Sequence, residues 1–160
     1  MLAWRIGTDT RTYQADDMTG TGAKTTGGRW NSAGNALVYA ASSRALAGLE
    51  TVVHLGGGGL PLNRYLVQID VPDAVWKART VLDLSAAPVG WDALPEGMVS
   101  LSYGDSWLAS RATAILLVPS IVVPEEQNIL VNPAHPDAAL IKASKVRKWL
   151  YDSRLKTSPS

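Results

Sequence analysis

The sequence contains no cysteine, no phenylalanine and only two histidines among its 160 residues. Without cysteine it has neither a disulfide framework nor a thiol nucleophile, and a reducing compartment suits it. With only His54 and His135 as nitrogen ligands, a structural zinc site is not expected. Carboxylate-bound calcium or magnesium stays open, although EF-hand spacing is absent. We therefore expect no metal cofactor.

A marked excess of either charge and a long apolar run are also missing. Fifteen basic and fourteen acidic residues are interleaved and give a net charge of +1, which argues against a broad nucleic-acid surface. The longest apolar run, AILLVPSIVV, is interrupted by Pro119 and is too short to span a membrane. The first residues, MLAWRIGTDTR, lack the apolar region of a signal peptide. We expect a cytoplasmic protein that contacts neither membrane nor nucleic acid.

Strand and helix patterns follow each other irregularly, which predicts one α+β domain over residues 1–160. Apolar or alternating stretches predict strands at residues 2–6, 36–40 and 64–72, and strand, turn, strand, turn, short strand over 114–136. A helix is predicted at 42–55, capped by Ser42 or Ser43, with Leu46, Leu49 and Val53 on one face. Residues 73–97 suit a short helix and a turn, and residues 139–155 suit either a helix or an edge strand.

A second helix is predicted at 105–113, capped by Asp105 or Ser106. Gly56–Gly59 should end the first helix. The polar segment 7–35 is long for a connection in a compact domain, so a functional role or disorder is expected. Its TGTGAKTT stretch is no phosphate-binding P-loop, because Ala23 precedes Lys24 where that motif needs glycine.

Three polar side chains stand close together in the stretch GGRWNSAGNALVYAASSRALAGLE. Arg29, in a glycine-flanked loop, suits either the surface or a phosphate, whose oxygens match a guanidinium. Tyr39 suits either a core rim or stacking against a planar ring. Glu50, at the edge of an apolar helix stripe, needs a partner, either an ion pair with Arg5 or Arg29 or a ligand in a cleft.

Two more residues carry open alternatives. Arg5 interrupts a short apolar strand and must reach solvent, an acid or a ligand. Ser120 follows a proline between two apolar runs, where serine usually stabilises a turn. Neither residue indicates a function on its own.

Together, the WRI near the start, GGRWNSAGNALVYAASSRALAGLE and LLVPSIVVPEEQNILVNPAHP resemble the RES domain family over about residues 2–155. The family is named for an arginine, a glutamate and a serine, which correspond to Arg29, Glu50 and Ser120. The resemblance implies a mixed α/β fold like that of the diphtheria-toxin-like ADP-ribosyltransferases. It also implies a toxin partnered with an Xre-type helix-turn-helix antitoxin, which we expect to occlude the NAD⁺ pocket.

The resemblance further implies that NAD⁺ is consumed as a substrate. The leading hypothesis is cleavage of its nicotinamide–ribose bond by hydrolysis or phosphorolysis. Transfer of ADP-ribose to a specific protein and a non-catalytic module that binds a nucleotide or partner are the alternatives. Nicotinamide leaves as a neutral molecule, so the second carboxylate of ordinary glycosidases is not needed.

Residue roles follow from the same resemblance. Arg29 and Arg5 would bind the phosphates, and Tyr39 would stack on nicotinamide or its ribose. Glu50 would bond that ribose and stabilise the positive charge that develops on it. Ser120 would bond the ribose or the nicotinamide amide, or position Glu50. Asn31 and Asn128 could shape the surrounding loops. Asn31 is also expected to contribute to NAD⁺ binding.

Overall fold

The computed structural model describes residues 1–56 and 58–155. Across these ranges the chain forms a seven-stranded sheet and four α-helices. The strands are β1 (Leu2–Thr8), β2 (Val38–Ala41), β3 (Arg64–Asp70), β4 (Thr80–Val81), β5 (Ile115–Pro119), β6 (Gln127–Val131) and β7 (Lys142–Lys148). The helices are α1 (Thr21–Thr26), α2 (Arg44–Val52), α3 (Asp73–Lys77) and α4 (Met98–Ser110). The α+β class expected from the sequence is confirmed.

The strands lie in the order β4-β5-β6-β2-β1-β3-β7. All neighbours are antiparallel except β4 and β5, which are parallel. The late strand β6 is inserted between β2 and β5, so residues far apart in sequence become neighbours at the centre of the sheet.

Cross-strand partners identify the two faces of the sheet, because successive side chains in a strand alternate and directly opposed residues share a face. One row of partners crosses five strands and consists of Val118, Asn128, Ala41, Trp4 and Gln68. We call the face that carries this row the site face and the other the back face. The back face bears a large apolar cluster that includes Ala15 and, on α3, Val75.

Two separate apolar clusters cover the site face. The α4 cluster contains Trp30, Leu37, Leu82, Trp91, Trp107, Leu108, Leu116, Val118 and Leu130. The α2 cluster contains Trp4, Ile6, Ala41, Leu46, Ala47 and Leu66. Their leucine side chains are almost fully buried, and each stabilises the fold by roughly 1.5–3 kcal/mol. Asn128 lies between Val118 of one cluster and Ala41 of the other, so the boundary between the clusters is polar.

The first predicted helix is confirmed as α2 and begins after its cap Ser43. Its inward face is different from the predicted one, because Leu46, Ala47 and Gly48 are buried whereas Leu49 and Val53 are exposed. The helix ends at Val52, and part of the glycine run expected to terminate it, Gly57, lies outside the described residues.

The second predicted helix begins earlier than expected. It starts at Met98 after Gly97, so Asp105 and Ser106 lie within α4 and neither caps it. The error arose because residues 98–104 show no clear apolar period in the sequence. The middle strand predicted within residues 114–136 is also wrong, because residues 120–126 form the turn between β5 and β6.

Two segments left open by the sequence are now assigned. The polar connection 7–35 contains α1, which no pattern predicted. Residues 139–155 form the end of one 3-10 helix, the edge strand β7 and a short 3-10 helix at Ser153–Leu155, and none of them is in an α-helix.

Candidate active site

The carboxylate of Glu50 is held by two side chains from distant parts of the chain. Its Oε1 accepts a hydrogen bond of 2.7 Å from Ser120 Oγ and another of 2.7 Å from Asn128 Nδ2. Glu50 is half-buried on α2 and forms an ion pair with neither Arg5 nor Arg29 within the described ranges. The side chain is therefore fixed by neutral donors.

Ser120 stabilises its turn and also bonds Glu50, which are two of the roles considered for it. The residue is fully buried at the end of β5, and its Oγ accepts bonds of 3.0 Å from the backbone N–H groups of Val122 and Val123. Its own N–H donates to the carbonyl of Glu126 at 2.9 Å. The hydroxyl hydrogen is thus left for Glu50, and the turn that Ser120 stabilises also aims it.

Helix α2 holds Glu50 in place because hydrogen bonds fix both its N-terminus and the residue next to Glu50. Ser43 caps the helix by accepting a bond of 3.1 Å from the N–H of Leu46, and it donates to Glu126 Oε2 at 3.2 Å. Next to Glu50, the Thr51 and Tyr151 hydroxyls are 2.7 Å apart. The helix position that carries the carboxylate is therefore tied to two other parts of the chain.

Arg29 lies in a tight turn in which the N–H of Gly28 donates to the carbonyl of Asn31 at 2.9 Å. Its Nη1 donates to the carbonyls of Trp91 and Ala93, at 3.1 and 2.9 Å. Its Nε and Nη2 make no hydrogen bond within the described residues. One edge of the guanidinium therefore fastens a neighbouring loop, and the other edge can take a ligand.

Tyr39 is anchored to the same turn through its hydroxyl. That hydroxyl accepts from the N–H of Trp30 at 3.0 Å and donates to Asn31 Oδ1 at 2.7 Å. A Cβ on Gly28 would lie 2.6 Å from this oxygen, so the approach requires glycine. Burial raises the pKa of the Tyr39 phenol above its ordinary value, so the hydroxyl remains a donor.

Asn31 is fully buried and serves the loop. Its Nδ2 donates to the carbonyls of Ala23 and Asn35, each at 2.9 Å. Loop shaping, one of the roles expected of it, is what these bonds perform. A direct contact with NAD⁺ remains a prediction, and both amide hydrogens are already used within the protein.

Asp105 fastens this loop to α4. One carboxylate oxygen accepts from the N–H of Ser32 at 3.0 Å and from Asn35 Nδ2 at 2.9 Å, and the other accepts from Ser32 Oγ at 2.5 Å. Burial alone would raise the pKa of Asp105, but these hydrogen bonds outweigh it, so the pKa lies below its ordinary value. The sequence suggested Asp105 only as a helix cap.

Arg5 does not join these residues. It lies opposite Val67, a member of the back-face cluster, so its side chain is on the other side of the sheet. There its Nη2 donates to the carbonyls of Ala15 and Asp17, the latter at 2.9 Å. Burial lowers its pKa. The assignment of Arg5 to the phosphate site is therefore corrected, because its strand position directs it away from Glu50.

Tyr39 shares the site face with Asn128, which bonds Glu50. Tyr39 stands opposite Leu130, and Asn128 stands opposite Ala41, two residues further along β2. The rise of a strand puts these positions about 7 Å apart. We call the polar boundary lined by Tyr39, Glu50, Ser120 and Asn128 the seam. Arg29 belongs to the turn that the Tyr39 hydroxyl bonds. The sequence named Asn128 only as a residue that could shape the loops, whereas the structure places it on β6.

Two cavities in the described part of the chain are lined by none of the seam residues. One, of about 780 Å³, is lined by Pro88, Met98, Val99, Ser102, Tyr103, Ser106 and Trp107. The other, of about 400 Å³, is lined by Ser42, Leu82, Asp83, Leu84, Pro119, Pro124, Glu125, Glu126 and Gln127. The seam is therefore identified by its polar side chains and not by a deep cavity.

Neither a metal centre nor a membrane span is found over residues 1–56 and 58–155. These residues hold no group of three or more histidine, cysteine, aspartate or glutamate side chains that could bind a metal ion. None of the helices they form is both long enough and apolar enough to cross a membrane.

Comparison with known proteins gives consistent matches over nearly the whole chain. The family model described as "RES domain" matches residues 2–153. The chain is 67% identical over 152 residues to the "Prs ADP-ribosylating toxin" of Sphingobium sp. (strain YBL2), covering 95% of this chain and 94% of that one. It is 37% identical over 157 residues to "Toxin Res" of Yersinia enterocolitica, covering 98% of this chain and 100% of the relative.

The fold is also similar to a solved structure. In the crystal structure of the M. tuberculosis MbcT-MbcA toxin-antitoxin complex, one chain aligns with a TM-score of 0.62 at 19% sequence identity. The alignment covers 91% of this chain and 84% of the other. At this identity the likeness shows a shared fold.

Proposed function

The chain belongs to the RES domain family, and on that premise we propose that it is a toxin that cleaves the nicotinamide–ribose bond of NAD⁺ and transfers ADP-ribose to a protein. The observation that carries the proposal is the Glu50 carboxylate, which Ser120 and Asn128 hold on the face of the sheet that also carries Tyr39. Arg29 belongs to the turn that the Tyr39 hydroxyl bonds.

The seam offers what this reaction needs. Glu50 supplies a fixed negative charge for the ribose, whose anomeric carbon becomes positive as nicotinamide leaves. The outward edge of the Arg29 guanidinium suits a diphosphate oxygen. The Tyr39 ring is fixed through its hydroxyl and suits stacking on the nicotinamide or its ribose. Since nicotinamide departs as a neutral molecule, no residue has to protonate it.

The acceptor of ADP-ribose is proposed from the named relative. The sequence alone favoured water or phosphate as acceptor and kept a protein as the alternative. The relative that is 67% identical carries the name "Prs ADP-ribosylating toxin". We therefore take protein modification as the leading reaction and Prs as its acceptor. Hydrolysis and phosphorolysis become side reactions that the same bond cleavage permits.

A cognate antitoxin is proposed to neutralise the protein. The structural neighbour is part of a toxin-antitoxin complex, and family resemblance points to an Xre-type partner. We expect a segment of that partner to cover the seam, so that NAD⁺ cannot reach Glu50. A structure of the pair with the seam open would contradict this mode of inhibition.

The reaction is tested by incubating the purified protein with NAD⁺ labelled in its ADP-ribose part, with and without Prs of the same host. We expect label on Prs and release of nicotinamide. Nicotinamide release without labelled protein, in water or in phosphate buffer, would favour hydrolysis or phosphorolysis instead. Saturable NAD⁺ binding without any nicotinamide release would make the chain a binding module and overturn the proposal.

Glu50→Gln provides the sharpest residue test. The glutamine carbonyl can still accept from Ser120 and Asn128, so the fold and its stability should persist, while the negative charge beside the ribose is lost. We expect activity to fall about 100- to 1000-fold with an unchanged melting temperature. Wild-type turnover in this variant would remove Glu50 from the mechanism.

A further inference from the structure

Oε1 of Glu50 accepts the hydrogen bonds from both Ser120 Oγ and Asn128 Nδ2. The other carboxylate oxygen, Oε2, is therefore the one that can contact a ligand. Within the described residues, Oε2 accepts no hydrogen bond. Two donors that converge on one oxygen fix the carboxylate plane and leave the second oxygen as the acceptor that a ligand meets.

Asn128 is independent of the turn that holds Ser120. It lies on β6, opposite Ala41 on one side and Val118 on the other, and it is half-buried between the α2 and α4 clusters. Both flanking residues are apolar, so Glu50 is the partner that its Nδ2 finds there. The strand fixes the amide in position, since β6 is paired along its length with β2 and β5.

We propose that Asn128 is a positioning residue that directs Glu50 Oε2 at the nicotinamide ribose. This inference rests on the proposed function and extends it: Ser120 and Asn128 act through Glu50, and only Oε2 touches the substrate. A carboxylate without the second donor rotates about its last side-chain bond and spends less time in the reactive orientation. The loss therefore falls on turnover more than on NAD⁺ binding.

The test compares three replacements of similar size with a matched control. Asn128→Leu removes the donor and keeps the shape, Asn128→Asp places a second carboxylate against Oε1, and Asn128→His restores a donor through Nδ1. Gln68→Leu is the control, because Gln68 occupies the same cross-strand row on β3, three strands and roughly 14 Å from Asn128.

We expect Asn128→Leu to lower kcat for nicotinamide release about 10- to 100-fold, as for loss of a hydrogen bond to a charged group, with KM for NAD⁺ almost unchanged. Asn128→Asp should lose more, Asn128→His should recover part of the loss, and Gln68→Leu should keep wild-type kinetics. Wild-type kcat in Asn128→Leu, a rise in KM alone, or no recovery in Asn128→His would each overturn the positioning role.

A second measurement separates this inference from the proposed function. Urea unfolding of Glu50→Ala, Asn128→Ala and the double variant should show non-additive losses of stability, because the two side chains bond each other. Additive losses would show that the Asn128 and Glu50 side chains do not interact, and would overturn the inference even if the enzyme is active. If the wild-type protein neither releases nicotinamide nor labels a protein, the proposed function fails and the positioning role of Asn128 in the reaction fails with it, whatever the coupling between the two side chains.

Discussion

Single residues of the candidate site make hydrogen bonds within the protein in addition to the contacts proposed with a ligand. Ser120 stabilises its own turn and also holds Glu50. Arg29 fastens the loop at Trp91 and Ala93 with one nitrogen. Structure and function are therefore coupled in the same atoms, and a single substitution changes both stability and activity unless it is chosen with care.

Tyr39→Phe separates these effects. It keeps the ring but leaves the buried N–H of Trp30 and the amide oxygen of Asn31 without their partner. We expect a loss of about 1–3 kcal/mol in the free energy of unfolding, measured in urea, with kcat largely kept. Tyr103→Phe is the control, since Tyr103, like Tyr39, packs against the α4 cluster and its hydroxyl makes no hydrogen bond within the described residues. Equal stability of the two variants would contradict the anchoring role.

Among the helices and strands, the sequence predicted a boundary correctly when the residue that sets it lies next to that boundary. Ser43 capped the helix that its hydroxyl suggested. Asp105 was misassigned because aspartate before an apolar run resembles a cap, whereas its real partners, Ser32 and Asn35, lie 73 and 70 residues away. Propensity is local, and such a long-range partner leaves no trace in the residues around Asp105.

Ser43→Ala tests the anchoring of α2. The substitution leaves the N–H of Leu46 unbonded and removes the link to Glu126, so we expect about 1 kcal/mol of destabilisation in urea unfolding. Ser42→Ala, in the adjacent position, should cost less, because among residues 1–56 and 58–155 the Ser42 side chain makes no hydrogen bond and its backbone N–H donates to Gln127. A larger loss in Ser42→Ala would show that the cap is misassigned.

Asp105 should make the loop over Tyr39 sensitive to acid. Because its folded pKa lies below the ordinary value of 3.8, its contribution to stability is present above about pH 4 and is lost as the pH falls through the folded pKa. We expect the melting temperature of Asp105→Asn to fall less steeply below pH 4 than that of the wild type. Asp92→Asn changes an exposed carboxyl that makes no hydrogen bond within the described residues, and it should retain the wild-type slope.

For the chain as a whole, the sequence identified candidate site residues better than it predicted their positions in the fold. Family resemblance supplied Glu50 and Ser120, and the structure joins them directly. The same resemblance also assigned Arg5 to the phosphates together with Arg29. Only the pairing of β1 with β3 reveals the face that Arg5 occupies, and strand pairing is not encoded within either strand alone.

Arg5→Met tests that placement. Loss of the bonds to the carbonyls of Ala15 and Asp17 should cost about 1–3 kcal/mol of stability, while KM for NAD⁺ stays at the wild-type value when it is measured well below the melting temperature. Arg29→Met is the paired comparison and should raise KM. An Arg5→Met protein with normal stability and a raised KM would return Arg5 to the phosphate site.

The insertion of β6 between β2 and β5 also bears on when a newly made chain becomes harmful. Glu50 is separated from Ser120 by 70 residues and from Asn128 by 78, so its carboxylate is unclamped until the ribosome has passed the codon for Asn128. Shorter nascent chains and premature-stop products lack β6 and, with it, the assembled seam. Nonsense mutations upstream of that codon should therefore abolish toxicity wherever they fall, which gives a host cell a wide target for escape.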